Sequence, residues 1–139
     1  MKSLKNKKIC IIVSDYNKDI TMKAFSIAEK ILKNQNFLNL SVIHTSGAFE
    51  IPVTISRLIK KYDAFIAIGC IIKGKTNNFD LISSSITDAI MELSIKNGKP
   101  IGNSIITAFN KIQAKERADK GSEAALAIIS ILRNEPKRI

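Results

Sequence analysis

The segment Gly69-Cys-Ile-Ile-Lys-Gly-Lys-Thr76 satisfies the spacing G-x4-G-K-[ST]. At that spacing backbone N–H groups can curl round phosphate oxygens while a lysine supplies charge and a hydroxyl reaches a metal. Such a loop must lead directly into a helix whose N-terminus faces the anion. Here the interior, Cys70-Ile71-Ile72, is apolar, and Asn77-Asn78-Phe79-Asp80 delays the helix. The segment reads better as the end of a strand, with Gly74, Lys75 and Thr76 forming an anion pocket of N–H groups, ammonium and hydroxyl. A phosphate-loop nucleotide-binding protein stays open as the alternative. Cys10 and Cys70 each lie inside an apolar run, and His44 is the single histidine. They suggest core thiols in a reducing, cytoplasmic setting, with no disulfide framework and no metal site.

The elements that must position these groups follow from the apolar pattern. Lys8–Ser14, Leu38–Thr45, Ala64–Ile72 and Pro100–Thr107 are short runs rich in β-branched residues and predict four strands. Between them, Ile20–Lys33 carries a helical apolar stripe with Asp19 available as N-cap. Glu50–Lys61 predicts a second helix with Pro52 in its first turn, where the missing N–H costs nothing. Asp80–Lys96 predicts a third, stopped by Asn97-Gly98, and Lys111–Leu132 one or two more. The alternation βαβαβαβα implies an α/β fold: a single domain over 1–139 with a four-stranded parallel sheet, helices on both faces and right-handed crossovers. Ligands of such sheets sit beyond the carboxyl ends of the strands, which directs attention to Ser14–Asn17, Thr45–Glu50, Ile72–Asp80 and Thr107–Asn110.

A net charge of +10, from 22 basic and 12 acidic residues, raises nucleic acid as a partner. The lysines are dense only in Lys2–Lys8, and two tyrosines and six phenylalanines give little to stack on bases, so no nucleic-acid partner is expected. The apolar stretch Ile9–Val13 is too short for a secretory leader, and no run is long enough to span a bilayer, so no membrane partner is expected.

Taken together the loops resemble one family. Ile12-Val-Ser-Asp-Tyr-Asn17 is similar to the I-V-x-x-[FY]-N opening of lumazine synthases, and Gly47-Ala-Phe-Glu-Ile-Pro52 matches their GAFEIP segment. Ile68-Gly-Cys-Ile-Ile-Lys-Gly-Lys-Thr76 resembles L-G-x-V-I-[RK]-G-x-T. Pro100-Ile-Gly-Asn-Ser-Ile-Ile-Thr107, Gln113-Ala114, Arg117-Ala118 and Lys120-Gly-Ser-Glu-Ala-Ala125 resemble the remaining blocks in order. The likeness covers about residues 8–132 and implies a flavodoxin-like three-layer sandwich.

The resemblance implies condensation of 5-amino-6-(D-ribitylamino)uracil with 3,4-dihydroxy-2-butanone 4-phosphate to 6,7-dimethyl-8-ribityllumazine, the penultimate step of riboflavin biosynthesis, with no cofactor. It implies that Tyr16, beside Asn17, stacks on the pyrimidine, and that Gly47, Ala48 and Phe49 offer backbone groups while Glu50 accepts from ribityl hydroxyls. Ile71 and Ile72 would add backbone contacts. Gly74, Lys75 and Thr76 would hold the butanone phosphate with Arg117, and Lys120 would approach pyrimidine or phosphate. It further implies a homo-oligomer built on pentamers, with sites between subunits; Lys2–Lys7 could add a strand to a neighbour.

Three positions depart from the pattern. Asn78 stands where the family usually carries its proton-transferring histidine, and an amide does not titrate near neutrality. Asn103 stands where an aromatic often reaches the neighbouring subunit's site, and the stretch from Arg117 to Lys120 is several residues shorter than usual. A non-catalytic relative that binds lumazine or flavin is therefore a second alternative. His44, before Thr45-Ser46, is expected to pack against the sheet.

Overall fold

The computed structural model describes residues 4–74 and 78–139. Strands β1 (Ile9–Ser14), β2 (Leu40–Thr45), β3 (Ala64–Ile72) and β4 (Ile101–Ala108) form one parallel sheet in the order β2-β1-β3-β4. Helices α1 (Lys18–Asn34), α2 (Ile51–Leu58), α3 (Asn78–Asn97), α4 (Lys111–Glu116) and α5 (Lys120–Arg133) connect or close it, and a short 3-10 turn at Ala48–Glu50 leads into α2. This is the three-layer arrangement expected from the alternating pattern.

Strand β1 shows why the sheet is covered on both faces. All six of its residues are buried. Ile9, Ile11 and Val13 belong to the core under α1 and α5, whereas Cys10 and Ile12 belong to the core under α2 and α3. Each fully buried Ile or Val of this kind contributes roughly 1.5–3 kcal/mol of gross transfer free energy, which must offset the entropy of ordering the chain. Helix α1 presents Ile20, Ala24, Ala28 and Leu32 to the sheet, and α5 presents Ala124, Ala125, Ile128 and Ile129. Small residues let these layers approach closely: a Cβ on Gly121 would run into the Ala24 carbonyl of α1, and one on Gly102 of β4 into the Ala124 carbonyl of α5.

Several boundaries differ from the sequence expectation for identifiable reasons. Helix α1 starts two residues early, capped by Asn17 instead of Asp19. The backbone of Asn17 is left-handed, at φ 58° and ψ 50°, a conformation asparagine tolerates, and its carbonyl accepts from the N–H groups of Ile20 and Thr21. The second helix is shorter than Glu50–Lys61 at both ends: Glu50 N–H closes a tight turn on the Gly47 carbonyl, so the α-helix begins at Ile51, and it stops at Leu58, whose carbonyl accepts from Lys61 N–H in a closing turn. Helix α3 ends at Asn97, where Gly98 takes φ +61°, the stop the sequence signalled. The closing segment is two helices, α4 and α5.

Candidate active site at the carboxyl edge of the sheet

All four strands end on the same edge, at Ser14, Thr45, Ile72 and Ala108, and the loops that follow carry the candidate residues. After β1 the chain keeps pairing with β2: Asp15 N–H donates to the Thr45 carbonyl at 2.8 Å and Tyr16 N–H to the Ser46 carbonyl at 3.2 Å. Thr21 ties α1 back by donating to the Ser14 carbonyl at 2.8 Å. These bonds fix the backbone beneath Tyr16 and leave its ring exposed, so it is available to stack on a flat ligand.

The turn after β2 is tied together by two side-chain hydrogen bonds. Thr45 Oγ1 donates to the Gly47 carbonyl at 2.9 Å, and Ser46 Oγ donates to Glu50 Oε1 at 2.9 Å. The Glu50 carboxylate folds back over Gly47, where an added Cβ would lie 3.2 Å from Oε1. One carboxylate oxygen is thus anchored while the group keeps further lone pairs for hydroxyl donors. Ala48 is buried against the sheet, Phe49 is 68% exposed, and a groove of about 460 Å³ opens between Phe49, Pro52 and Val53 on one side and Ser85, Ile86 and Ala89 of α3 on the other.

The segment matching a phosphate loop is strand through its first half. Cys70, Ile71 and Ile72 pair with Ile106, Thr107 and Ala108 of β4, so their backbone cannot curl round an anion. Gly74 is exposed with open space around it. Lys75 and Thr76, the other members of the expected anion pocket, lie outside the described residues. Asn78 is exposed as the first residue of α3. Lys73 N–H donates to the Ala108 carbonyl at 2.9 Å, its Nζ sits 5.3 Å from the centre of the Phe109 ring, and the Phe79 ring lies 6.3 Å from that same ring.

Strand β4 is an edge strand, and several outward backbone groups in its second half are bonded by side chains of its own chain. Asn103 Oδ1 accepts from Ile105 N–H at 2.9 Å, Lys120 Nζ donates to the Ile105 carbonyl at 3.2 Å, and Arg117 Nη1 donates to the Thr107 carbonyl. Gln113 Oε1 accepts from Phe109 N–H at 2.8 Å. These bonds blunt an edge that would otherwise present free donors and acceptors. They also hold the guanidinium of Arg117 beside a cavity of about 370 Å³ lined by Thr107, Lys120, Glu116, Asp119 and Glu123. A guanidinium has five N–H donors, so one bond to Thr107 leaves a fork free for a phosphate. Asn103 itself pairs with Ala67, five residues before β4 ends, and lies on the α2–α3 face with Ile101 and Ile105.

Two groups fall differently from the sequence reading. His44 does not pack against the sheet: it is exposed on the edge strand β2, and its Nδ1 lies 2.8 Å from Asp15 Oδ1. The reason is register, since β2 is an outer strand and His44 sits opposite Val13, next to the turn that carries Asp15. Phe109, not singled out from the sequence, reaches the flanks of the β3–α3 loop; an exposed aromatic immediately after a strand was the available signal. Cys10 and Cys70 are free and buried, and burial pushes both thiols up to about 11. At Cys70 the charge of Asp19 pushes the same way, while the Asn17 amide and Lys111 oppose it. Among the described residues no cluster of His, Cys, Asp and Glu is grouped to hold a metal, and no helix is long and apolar enough to cross a membrane.

Comparison with known proteins places this geometry in context. A family model described as 6,7-dimethyl-8-ribityllumazine synthase matches residues 6–135. The chain is 43% identical to the protein of that name from Buchnera aphidicola subsp. Baizongia pistaciae, over 94% of this chain and 89% of the relative. It is 38% identical to that from Aliarcobacter butzleri, over 91% and 87%. With that from Limosilactobacillus reuteri it shares 34% identity over 94% and 88%.

Proposed function

The chain belongs to the 6,7-dimethyl-8-ribityllumazine synthase family, and from that premise we propose that it condenses 5-amino-6-(D-ribitylamino)uracil with 3,4-dihydroxy-2-butanone 4-phosphate to form 6,7-dimethyl-8-ribityllumazine, the penultimate step of riboflavin biosynthesis. The amine adds to the ketone and water leaves as the imine forms. Phosphate is then eliminated, and the second ring closes with loss of another water. The observation that carries the reading is the match over residues 6–135 together with the anchored turn it includes.

Each residue has a physical role in this reaction. Tyr16 stacks on the pyrimidine, next to the Asn17 cap. Backbone groups of Gly47, Ala48, Phe49, Ile71 and Ile72 orient its polar edge. Glu50, held by Ser46, accepts from the ribityl hydroxyls. Gly74, Lys75, Thr76 and Arg117 bind the phosphate, with Lys120 near by. Asn78 orients a water or the butanone hydroxyl without itself carrying the proton. Holding two reactants in register can supply ~7–11 kcal/mol of the barrier, so the absence of a titrating group at residue 78 does not abolish the reaction.

We place this function in a homo-oligomer built on pentamers, in the cytoplasm, with small molecules as the other partners. Support comes from β4: Arg117 is bonded to the outer side of that strand, whereas Gly74 follows β3, on its inner side. A phosphate held by both groups is most simply reached when Arg117 comes from an adjacent copy. Exposed Val53, Leu81, Met91 and Ile95 on α2 and α3 supply apolar surface for such packing. The two free buried thiols fit a reducing compartment.

The test is turnover by the purified protein with both substrates, followed by lumazine absorbance and phosphate release. Product with stoichiometric phosphate is expected. Binding of the ribitylated pyrimidine by calorimetry without product would instead favour the non-catalytic reading that Asn78 motivates. A stable monomer at micromolar concentration in sedimentation would overturn the oligomer.

A further inference from the structure

The loop between β3 and α3 is flanked by two residues that meet on one aromatic ring. Lys73, the first residue after β3, brings its ammonium 5.3 Å from the centre of Phe109. Phe79, the second residue of α3, brings its ring 6.3 Å from the same centre at an interplanar angle of 31°. The backbone of Phe109 is anchored. Its N–H donates to Gln113 Oε1 at 2.8 Å, and Gln113 N–H in turn donates to Asn110 Oδ1 at 2.8 Å, which caps α4. The backbone beneath Lys73 is bonded to Ala108, the neighbour of Phe109. The first turn of α4 therefore holds the backbone that carries the ring, and the ring meets both flanks of the loop. A cation over a ring face and a tilted pair of rings are both attractive, and neither is required by the packing of the core, since Phe109 is 62% exposed.

We propose that Phe109 is a positioning residue for the butanone phosphate: it sets the separation of Lys73 and Phe79, and through them the placement of Gly74 and Asn78. It touches no substrate. Its effect falls on the phosphate half of the reaction: the pyrimidine half is built on Tyr16 and the Ala48–Glu50 turn, which lie on other loops, and on Ile71 and Ile72, whose backbone is held by pairing with Thr107 and Ala108. The inference rests on the proposed condensation, and its test separates the two.

The experiment compares wild type with Phe109→Ala, Phe109→Leu and Phe109→Tyr. In steady state, Phe109→Ala is expected to raise KM for the butanone phosphate about fivefold, the equivalent of losing one contact of this strength. KM for the pyrimidine should change less than about twofold. Phe109→Tyr keeps the ring and should restore the wild-type value, and Phe109→Leu, which keeps bulk without a π face, should fall between. Independently of turnover, limited trypsinolysis followed by mass spectrometry should show cleavage after Lys73 rising about fivefold in Phe109→Ala and not in Phe109→Tyr.

Product from wild type with unchanged phosphate KM in Phe109→Ala overturns the inference and leaves the condensation standing. No product from wild type overturns the condensation, and the proteolysis then decides the clamp alone, with unchanged cleavage refuting it. Parallel loss of both affinities with a smaller sedimentation coefficient would make Phe109 an assembly residue and also refute it.

Discussion

Gly69→Ala tests whether the sheet holds the substrate turn in place. Gly69 lies within β3 on the face toward α2 and α3, and a Cβ there would meet Ala48 Cβ at 2.9 Å and the Cδ1 atoms of Ile105 and Ile51 at 3.2 Å. Carbon atoms rest at about 3.5–4.0 Å, so the nearest neighbour must move by roughly 0.6–1.1 Å. The isoleucine tips can rotate, but Ala48 has no rotamer to change, so the backbone of the Ala48–Glu50 turn must rise. Overpacking of this kind costs about 1–3 kcal/mol. For a 139-residue chain with an unfolding entropy near 2.1 cal/mol/K per residue, that corresponds to a fall in Tm of roughly 3–10 °C. The same shift carries Phe49 and the Glu50 carboxylate with it. Because a misplacement of about 1 Å can cost up to ~10²-fold, KM for the pyrimidine should rise about tenfold or more. KM for the butanone phosphate should stay within about twofold, since Gly74 and Arg117 lie on other elements. Gly74→Ala is the control for stability: nothing lies within 4 Å of a Cβ there, and its Tm should match wild type. A Gly69→Ala protein with unchanged Tm and unchanged KM would refute the contact argument. Equal rises in both KM values would refute its routing through the turn.

Three further predictions follow from other parts of the edge. Arg117→Ala should raise KM for the phosphate substrate at least about tenfold, as expected for loss of a charge-assisted bidentate contact, with pyrimidine affinity measured by calorimetry little changed; equal losses would remove Arg117 from the phosphate site. Asn78→His should raise kcat about tenfold or more and introduce a titration near pH 6–7 in the rate profile, while His44→Ala leaves kcat unchanged; loss of activity in His44→Ala with binding intact would make the His44–Asp15 pair the proton carrier. Burial raises both thiols from 9.0 to about 11, so their contribution to stability is complete below pH 9 and is lost as pH rises through about 11. Urea midpoints should accordingly decline across that window less steeply in Cys70→Ala than in wild type, and equal slopes would show that Cys70 does not contribute.

The strands were legible in the sequence because runs such as Ala64–Ile72 are short, apolar without a break and rich in isoleucine, which fits a strand covered on both faces; observed and expected bounds coincide there. The carboxyl-edge loops were legible for the same reason, since parallel order places every such loop on one side. What was hidden depended on conformation or on non-local register. Asn17 displaced Asp19 as helix cap by adopting a left-handed backbone, a choice that composition does not encode. The loop after β2 was expected as a connection, but its closing as a 3-10 turn over Ala48–Glu50, which moves the helix start from Glu50 to Ile51, rests on local backbone geometry that residue type does not encode. The pairing of His44 with Asp15 follows from β2 being an outer strand, and the capping of the β4 edge by Asn103, Gln113, Arg117 and Lys120 from β4 being the other. Strand order is the missing information in both cases.

The edge caps bear on how the proposed condensation would run with Asn78 at the position where the family resemblance implies a histidine. Two molecules that already react by small proton transfers need orientation more than they need a new acid or base. Orientation is worth up to ~7–11 kcal/mol, whereas a well-placed general acid or base supplies ~10²–10⁴-fold, about 3–5 kcal/mol. Four of the groups assigned to orientation are held by a second bond: Glu50 by Ser46, Arg117 by the Thr107 carbonyl, Lys120 by the Ile105 carbonyl, and the Tyr16 backbone by Ser46. Fixing them before substrate arrives removes an entropy cost that flexible lysine and arginine side chains would otherwise incur on binding. Asn78 is exposed as the first residue of α3, which sets the position of its backbone. Its amide can still donate to a leaving water and accept from a hydroxyl. In the proposed condensation the larger contribution to rate would come from the backbone-anchored groups, and the smaller one is what an asparagine at residue 78 would forgo.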